Sequence, residues 1–383
     1  MTQIGRPDPE TTNLEHNRIT SFNQTTLTMC DFSEYGGKSK EWLAVEASLP
    51  PPATFADIYD RQRTVNQGRE EISANAMEEL APSIHLKDYN ISARDGTLLE
   101  ARSYRPVSVD GDARLPIYIH LHGGGYLFGS LSSEDAIATR IALGAGVTVV
   151  NVNYRHTPEA TFPTAWNDVE DTFYWVHDHI DELLGNPDQV LVGGISAGAQ
   201  LAAALALRQN ISSSDILSKP KIAGQILMIP ALVHLEAYES QLDQLINPSL
   251  SSYVENEHAP ILPKRVVEFF VDLLKISHAT SEAEDVRLNT GNATKSQVKG
   301  LPPTVLGIAG LDPLRDEGLL FGKKLAEAGV PTDIHVFKGL PHGFRRFGEQ
   351  LSESKRWDKV MEDGIRWAIS KPEPSWKFEV NTE

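Results

Sequence analysis

His122-Gly123-Gly124-Gly125, followed 72 residues later by Gly194-Ile195-Ser196-Ala197-Gly198, decides how this chain reads. Each half supplies what the other lacks. A Gly-x-Ser-x-Gly run sets a serine on a strand-to-helix turn too tight for large flanking side chains. The three glycines offer backbone N–H groups on an unobstructed loop, as a developing oxyanion requires. Glycine and serine are common in any loop, so either run alone says little. Both together, in this order and each after a β-like run, point to acyl-transfer chemistry.

Working outward, residues 116–121 read as a strand, 135–145 as a helix and 147–152 as a buried strand. Trp166, Val169, Phe173, Val176 and Ile180 then share one helical face. Residues 189–192 are strand-like and 201–207 form a small-residue helix. The runs 222–228, 304–308 and 334–337 complete the strands, and Trp357, Val360, Met361, Ile365 and Ala368 line one side of a closing helix. Upstream, 91–98 holds an Asp95-Gly96 turn between extended runs, a hairpin signal. Strands separated by helical crossovers imply an α/β fold, with a mostly parallel central sheet flanked by helices.

That core is expected over residues 85–230 and 301–383. From 231 to 300 the alternation stops for far longer than an ordinary connection. Residues 1–84 begin as a polar arm. They continue as two amphipathic helical pieces, around Trp42-Leu43 and over 55–77, on either side of Leu49-Pro50-Pro51-Pro52. The expectation is a helical cap built from residues 1–84 and the 231–300 insertion. Its apolar pieces at 55–77 and 266–274 would pack together over Ser196, because exposed they would form a sizeable patch.

A serine hydroxyl needs a base, and the base needs an orienting carboxylate. Of the histidines after Ser196, His335 lies inside a strand, and His234, His258 and His278 lie in the insertion. His342 sits in Gly339-Leu340-Pro341-His342-Gly343-Phe344, a loop following the last strand at the edge where ligands bind. It is read as the base. Asp312 leaves the preceding strand, with Pro313 disfavouring helix there. Asp316 and Glu317 fall in the next helix's first turn, where the macrodipole favours carboxylates. Asp312 is therefore read as the acid. The oxyanion donors are assigned to the N–H groups of Gly124, Gly125 and Ala197, with Gly123 making the turn. Tyr126, Leu127, Phe128, Ile195, Phe269 and Phe270 are candidate substrate contacts, and Tyr253 a further cap aromatic. His177 and His179 read as surface residues in an acidic helical stretch.

Composition narrows the partners. The net charge is −17, from 35 Lys and Arg against 52 Asp and Glu over 383 residues, with no basic run for nucleic acid or an anionic membrane. No Lys accompanies the glycine loop, so a phosphate cradle is not expected. His120 and His122 stand two apart, but no Cys, Asp or Glu cluster completes a metal site. Neither cofactor nor metal is expected. No apolar run approaches the roughly 20 residues that span a bilayer. The single cysteine, Cys30, and the polar start suit a cytoplasmic protein. The expected partner is a small-molecule ester, and a homodimer is left open.

These residues resemble the hormone-sensitive-lipase-like branch of the α/β-hydrolase superfamily. The resemblance rests on His122 to Tyr126 with Gly129-Ser130, on Tyr154-Arg155-His156-Thr157-Pro158-Glu159 with Phe162-Pro163 and Asp168, on Asp312-Pro313-Leu314-Arg315-Asp316-Glu317, and on His342-Gly343-Phe344. It implies a cofactor-free serine carboxylesterase or deacylase, with the first aspartate of the acid loop, Asp312, completing the triad. The chain departs from the branch at Ile195, where Asp is usual, and at Gly198-Ala199, where Gly-Gly is usual. The 31–43 opening resembles fungal members that trim acyl groups from polyketide intermediates. Two other classes stay open: a cyclase or dehydratase using His342 as a proton shuttle, and a non-catalytic ligand receptor, a class that lacks the base.

Overall fold

The computed structural model of the chain describes residues 29–51, 53–211, 220–276 and 286–383. Eight strands form one sheet: β1 (Ile84–Ser92), β2 (Leu98–Pro106), β3 (Leu115–Leu121), β4 (Thr148–Val152), β5 (Gly185–Ile195), β6 (Gly224–Met228), β7 (Thr304–Leu311) and β8 (Thr332–Pro341). Their order is β1-β2-β4-β3-β5-β6-β7-β8. The β1–β2 hairpin and the β2–β4 pair are antiparallel, and every pair from β4 to β8 is parallel. Every residue of β4, β6 and β7 is buried, as a parallel sheet covered on both faces demands. Helix α3 (Leu131–Ala145) and the C-terminal helix Glu353–Ile369 pack on one face. Helices α4 (Thr164–Asp178), α5 (Ala197–Ile211) and the helix Arg315–Glu327 pack on the other.

The elements follow the expected alternation, with ends shifted for local reasons. Helix α3 starts at Leu131 rather than 135, because Ser130 and Ser133 form a reciprocal capping box. Helix α5 begins directly after Ser196, so no loop separates the serine from the helix. His177 and His179 are less solvated than their neighbours suggested. The His177 ring packs on Phe173 at 4.8 Å, and that of His179 stacks on Trp175 at 4.3 Å.

Two pieces outside the sheet matter for the site. Before it come α1 (Lys40–Ala47) and the 23-residue α2 (Ile58–Leu80), which Asp57 caps by accepting from the Asp60 N–H. Between β6 and β7 runs the insertion, whose longest described helix is Lys264–Leu273. The N-terminal segment and the insertion are joined: Cys30 N–H donates to Gln244 O and Ile246 N–H to Cys30 O, both at 2.9 Å. The amphipathic piece at 266–274 is thus a helix, whereas part of the polar arm and His278 lie outside the described residues.

A buried ionic group fastens the insertion to the core. The Arg315 side chain has no accessible surface and donates to Asp316 (2.8 Å) and Glu255 (2.7 Å). Asp316 also accepts from the Ser252 N–H at 2.7 Å, and the Ser252 hydroxyl donates to Pro313 O at 2.6 Å. Removing one partner from such a group leaves an uncompensated buried charge. Asp316→Ala is expected to lower unfolding free energy by about 3 kcal/mol, read by urea denaturation. An unchanged midpoint would show that Arg315 is held adequately by Glu255 alone.

Candidate active site

Ser196 occupies the tightest point of the β5–α5 turn, with φ of 57°, a region non-glycine residues enter only under constraint. Its glycine neighbours are sterically required. A Cβ on Gly194 would lie 2.2 Å from Leu121 O, and one on Gly198 2.0 Å from the same oxygen. The turn therefore presses against the end of β3, which brings the serine beside the glycine loop that leaves that strand.

The predicted residues converge. His342 Nε2 lies 2.9 Å from Ser196 Oγ, and His342 Nδ1 lies 2.7 Å from Asp312 Oδ2. Asp312 is 1 % exposed, and its other oxygen accepts from the Leu314 N–H at 3.0 Å. Asp316 points instead to Ser252 and Arg315. The other histidines stand elsewhere. His335 pairs with Asp333 in β8, His234 accepts from the Glu236 N–H in the insertion, and His258 is exposed.

Opposite the serine, Gly124 and Gly125 have φ of 142° and 60°. A Cβ on Gly124 would lie 2.1 Å from Phe128 O, and one on Gly125 would meet the Phe270 ring at 2.5 Å. The N–H groups of Gly124, Gly125 and Ala197 donate to no described group. Ala197 also begins α5, whose N-terminal dipole favours negative charge there.

The candidate substrate contacts divide. Phe270 lies over Gly125 and forms an edge contact with Phe128 (centroids 6.0 Å) and a tilted one with Phe269 (5.6 Å). Tyr126 stacks on Trp166 at 5.1 Å. Leu127 is completely buried and Tyr253 packs on Tyr238 at 4.6 Å, so both are placed for packing rather than for contact with a ligand. Ile195 is half-buried, with its Cγ2 3.4 Å from the point where a Gly123 Cβ would sit.

Sequence reasoning expected an apolar face on α2 and missed a polar one. Gln62 Nε2 donates to Leu127 O (2.7 Å), and Asn66 exchanges bonds with Gly129 (2.9 and 3.3 Å). Arg69 Nη1 donates to Gly123 O (3.1 Å), Glu70 accepts from the Ser130 hydroxyl (2.6 Å), and Ser73 accepts from the Ala136 N–H (3.1 Å). Spacings of four, three, one and three place these residues on one helical stripe, the signal that was available. Only Ser73 of α2 is fully buried.

Beneath the loop, Arg69 also donates to Glu134 (2.7 Å), whose second oxygen lies 3.0 Å from His120 Nε2. Burial pushes the Glu134 carboxyl up, but the His120 bond and the Arg69 charge outweigh it and hold it at about 2. His122 stacks on Tyr154 at 4.2 Å, and the Tyr154 hydroxyl donates to His122 O at 2.7 Å. Burial holds His122 well below its ordinary value and His156 at about 4. His120 and His122 thus serve the loop's support. Asp168 of the Tyr-Arg-x-x-Pro-Glu region grips Arg155 with both oxygens, at 2.6 and 3.0 Å.

Comparison with known proteins shows the family. Residues 118–346 match the family described by the alpha/beta hydrolase fold. The carboxylesterase NlhH of Mycobacterium tuberculosis is 32 % identical over 70 % of this chain and 78 % of its own length. The versiconal hemiacetal acetate esterase of Dothistroma septosporum is 26 % identical over 88 % of this chain and 96 % of its own. The crystal structure of vibralactone cyclase superposes with a TM-score of 0.78 at 26 % identity, covering 90 % of this chain and 98 % of that one. The chain belongs to the α/β-hydrolase family, in its hormone-sensitive-lipase-like branch.

Proposed function

We propose that the protein is a serine carboxylic ester hydrolase that removes an acyl group from a small to medium, largely apolar ester. One observation carries this reading: the hydrogen-bonded series Asp312–His342–Ser196 stands opposite amides that the protein leaves unpaired. Ser196 Oγ attacks the ester carbonyl while His342 Nε2 takes its proton. Asp312 holds the Nδ1 proton and so fixes the tautomer. The oxygen that becomes negative is received by the N–H groups of Gly124, Gly125 and Ala197. The proton on His342 leaves with the alcohol, and a water activated by the same imidazole then frees the acid. Phe128, Phe269 and Phe270 give the acyl or alcohol group an apolar wall, which the cap encloses from the α2 and insertion sides.

The M. tuberculosis and D. septosporum relatives support ester hydrolysis, and the second supports acyl removal in fungal natural-product biosynthesis. Among the described residues no helix is long and apolar enough to cross a membrane. With the single cysteine, this fits a cytoplasmic setting. The likeness to vibralactone cyclase lends loose support to a second reading, a cyclisation in which His342 shuttles protons without an acyl-enzyme. Turnover in ¹⁸O-water separates the two, since hydrolysis places one labelled oxygen in the acid and cyclisation places none. A ligand receptor without chemistry has no use for His342 within reach of Ser196.

An organophosphonate probe is expected to add one adduct, at Ser196, seen by intact mass. Ser196→Ala is expected to abolish labelling and to lower kcat on p-nitrophenyl esters by about 10⁴-fold or more. Asp312→Asn, which fixes the wrong tautomer, is expected to lower kcat about 10⁴-fold. Wild-type turnover by either variant would end the assignment.

Arg69 is expected to act through the loop it holds. Arg69→Met should lower kcat about 10²-fold with a smaller change in KM, since a misplaced oxyanion donor weakens the transition state more than the ground state. Arg69→Lys should recover part of the loss. Equal effects on kcat and on thermal stability, with no recovery by lysine, would mark a purely structural role.

A further inference from the structure

The rim of the site carries arginines that the rest of this acidic chain does not neutralise. Among the described residues, no carboxylate lies in ion-pair reach of Arg61 on α2, Arg265 on the insertion helix or Arg346 beyond His342. Acids outnumber bases 52 to 35, so such a grouping is not what composition alone would produce. Arg61 is half-buried. Its guanidinium sits over the rings of Phe269, Phe128 and Phe55, at 4.9, 5.7 and 5.9 Å from their centroids. Burial lowers its pKa, and the positive charge of Arg265 acts in the same direction. Arg346 donates to Gly343 O at 3.1 Å, on the His342 side of the same mouth.

Arg61 is connected to the reaction centre by aromatic contacts. Phe270 lies on Gly125, Phe128 meets the edge of Phe270, and Arg61 lies over Phe128. A carbonyl oxygen at the Gly124 and Gly125 amides and a chain running along Phe270 and Phe128 would bring the far end of a substrate to Arg61. Stacking on a ring leaves the in-plane N–H groups of a guanidinium available, and their fork matches a carboxylate. Contact with a π-face does not neutralise the cation.

We propose that Arg61 forms an anion subsite beyond Phe128 and Phe270, and that the ester cleaved here has an apolar body ending in a carboxylate. The proposal rests on the ester-hydrolase reading above and adds the substrate's charged end. A terminal carboxylate would give Arg61 the ion-pair partner that no described side chain supplies. The expected substrate is therefore a half-ester of a dicarboxylic acid, or an acylated compound with an acid group of its own.

The test compares p-nitrophenyl half-esters of adipic, suberic and sebacic acids with their neutral ω-carboxamide counterparts. For at least one length, kcat/KM is expected to favour the acid by about tenfold or more, the range of hydrogen bonds to charged groups. Added salt should shrink that ratio through screening. Arg61→Gln and the more exposed Arg265→Gln should each pull the ratio toward one, and Arg61→Lys should keep part of it. A second measurement does not need turnover: binding of suberate to the Ser196→Ala protein by calorimetry, with and without Arg61→Gln. Hydrolysis of acid and amide at equal kcat/KM, or an acid preference that survives both glutamine variants, overturns the subsite while leaving the esterase reading in place. Suberate binding that depends on Arg61, in a protein that cleaves no ester, upholds the subsite and overturns the esterase reading.

Discussion

A loop that receives an oxyanion must keep its own N–H groups free, yet its carbonyls are just as buried and must be paired. In residues 122–129 six carbonyls are paired. His122 O accepts from Tyr154, Gly123 O from Arg69, Leu127 O from Gln62 and Gly129 O from Asn66. Tyr126 O accepts from the Thr157 N–H, and Gly124 O from those of Leu127 and Phe128. The donors come from three sources: α2 above, the β4–α4 segment beside, and the loop's own turn. Within this frame the amides of Gly124 and Gly125, and that of Ala197, donate to no described group. The polar contacts around the loop follow from this single requirement.

The requirement changes what the cap is for. An apolar helix laid on the loop would exclude water but leave three carbonyls without donors, at about 1–3 kcal/mol each. Gln62, Asn66 and Arg69 supply donors while covering the loop, so α2 orients it as well as shielding it. The insertion is fixed by the same kind of contact at the acid loop, through Arg315, Asp316, Glu255 and Ser252. Asp312 and Asp316 are thus neighbours with different duties. One faces His342, and the other ties down the segment that carries Phe269 and Phe270.

How much of this was legible follows from the kind of signal each part leaves. The sheet and its helices were readable because burial on one or both faces imposes a period on apolar residues, as at Trp166, Val169 and Phe173. The serine, the acid and the base were readable because each sits in a turn that only certain residues can make. Gly194 and Gly198 are examples, since any larger side chain would strike Leu121 O. The α2 stripe left no apolar period. Its residues bind backbone oxygens far along the chain, and a search for hydrophobic spacing passes over such a helix. Leu127, expected at the substrate and found completely buried, shows a related limit. An apolar residue beside a reactive loop packs inward or lines the pocket depending on backbone direction, which the type of residue does not reveal. Tyr126, in the left-handed region with φ of 60°, shows how sharply the chain turns there.

The charges under the loop show how its electrostatics are arranged. Arg69 brings one positive charge, and Glu134, held ionised by Arg69 and His120 against the cost of burial, brings one negative charge. His122 and His156 stay neutral at ordinary pH because burial disfavours their charged forms. The Arg69–Glu134 pair is thus electrically balanced, and it does not change its ionisation near neutrality. A negative charge forming on a substrate oxygen would then be stabilised by oriented amides and the start of α5. Unpaired positive charge is instead placed at the rim, at Arg61 and Arg265. There it can act on the remote end of a ligand without altering the polarity of the loop that receives the reacting oxygen.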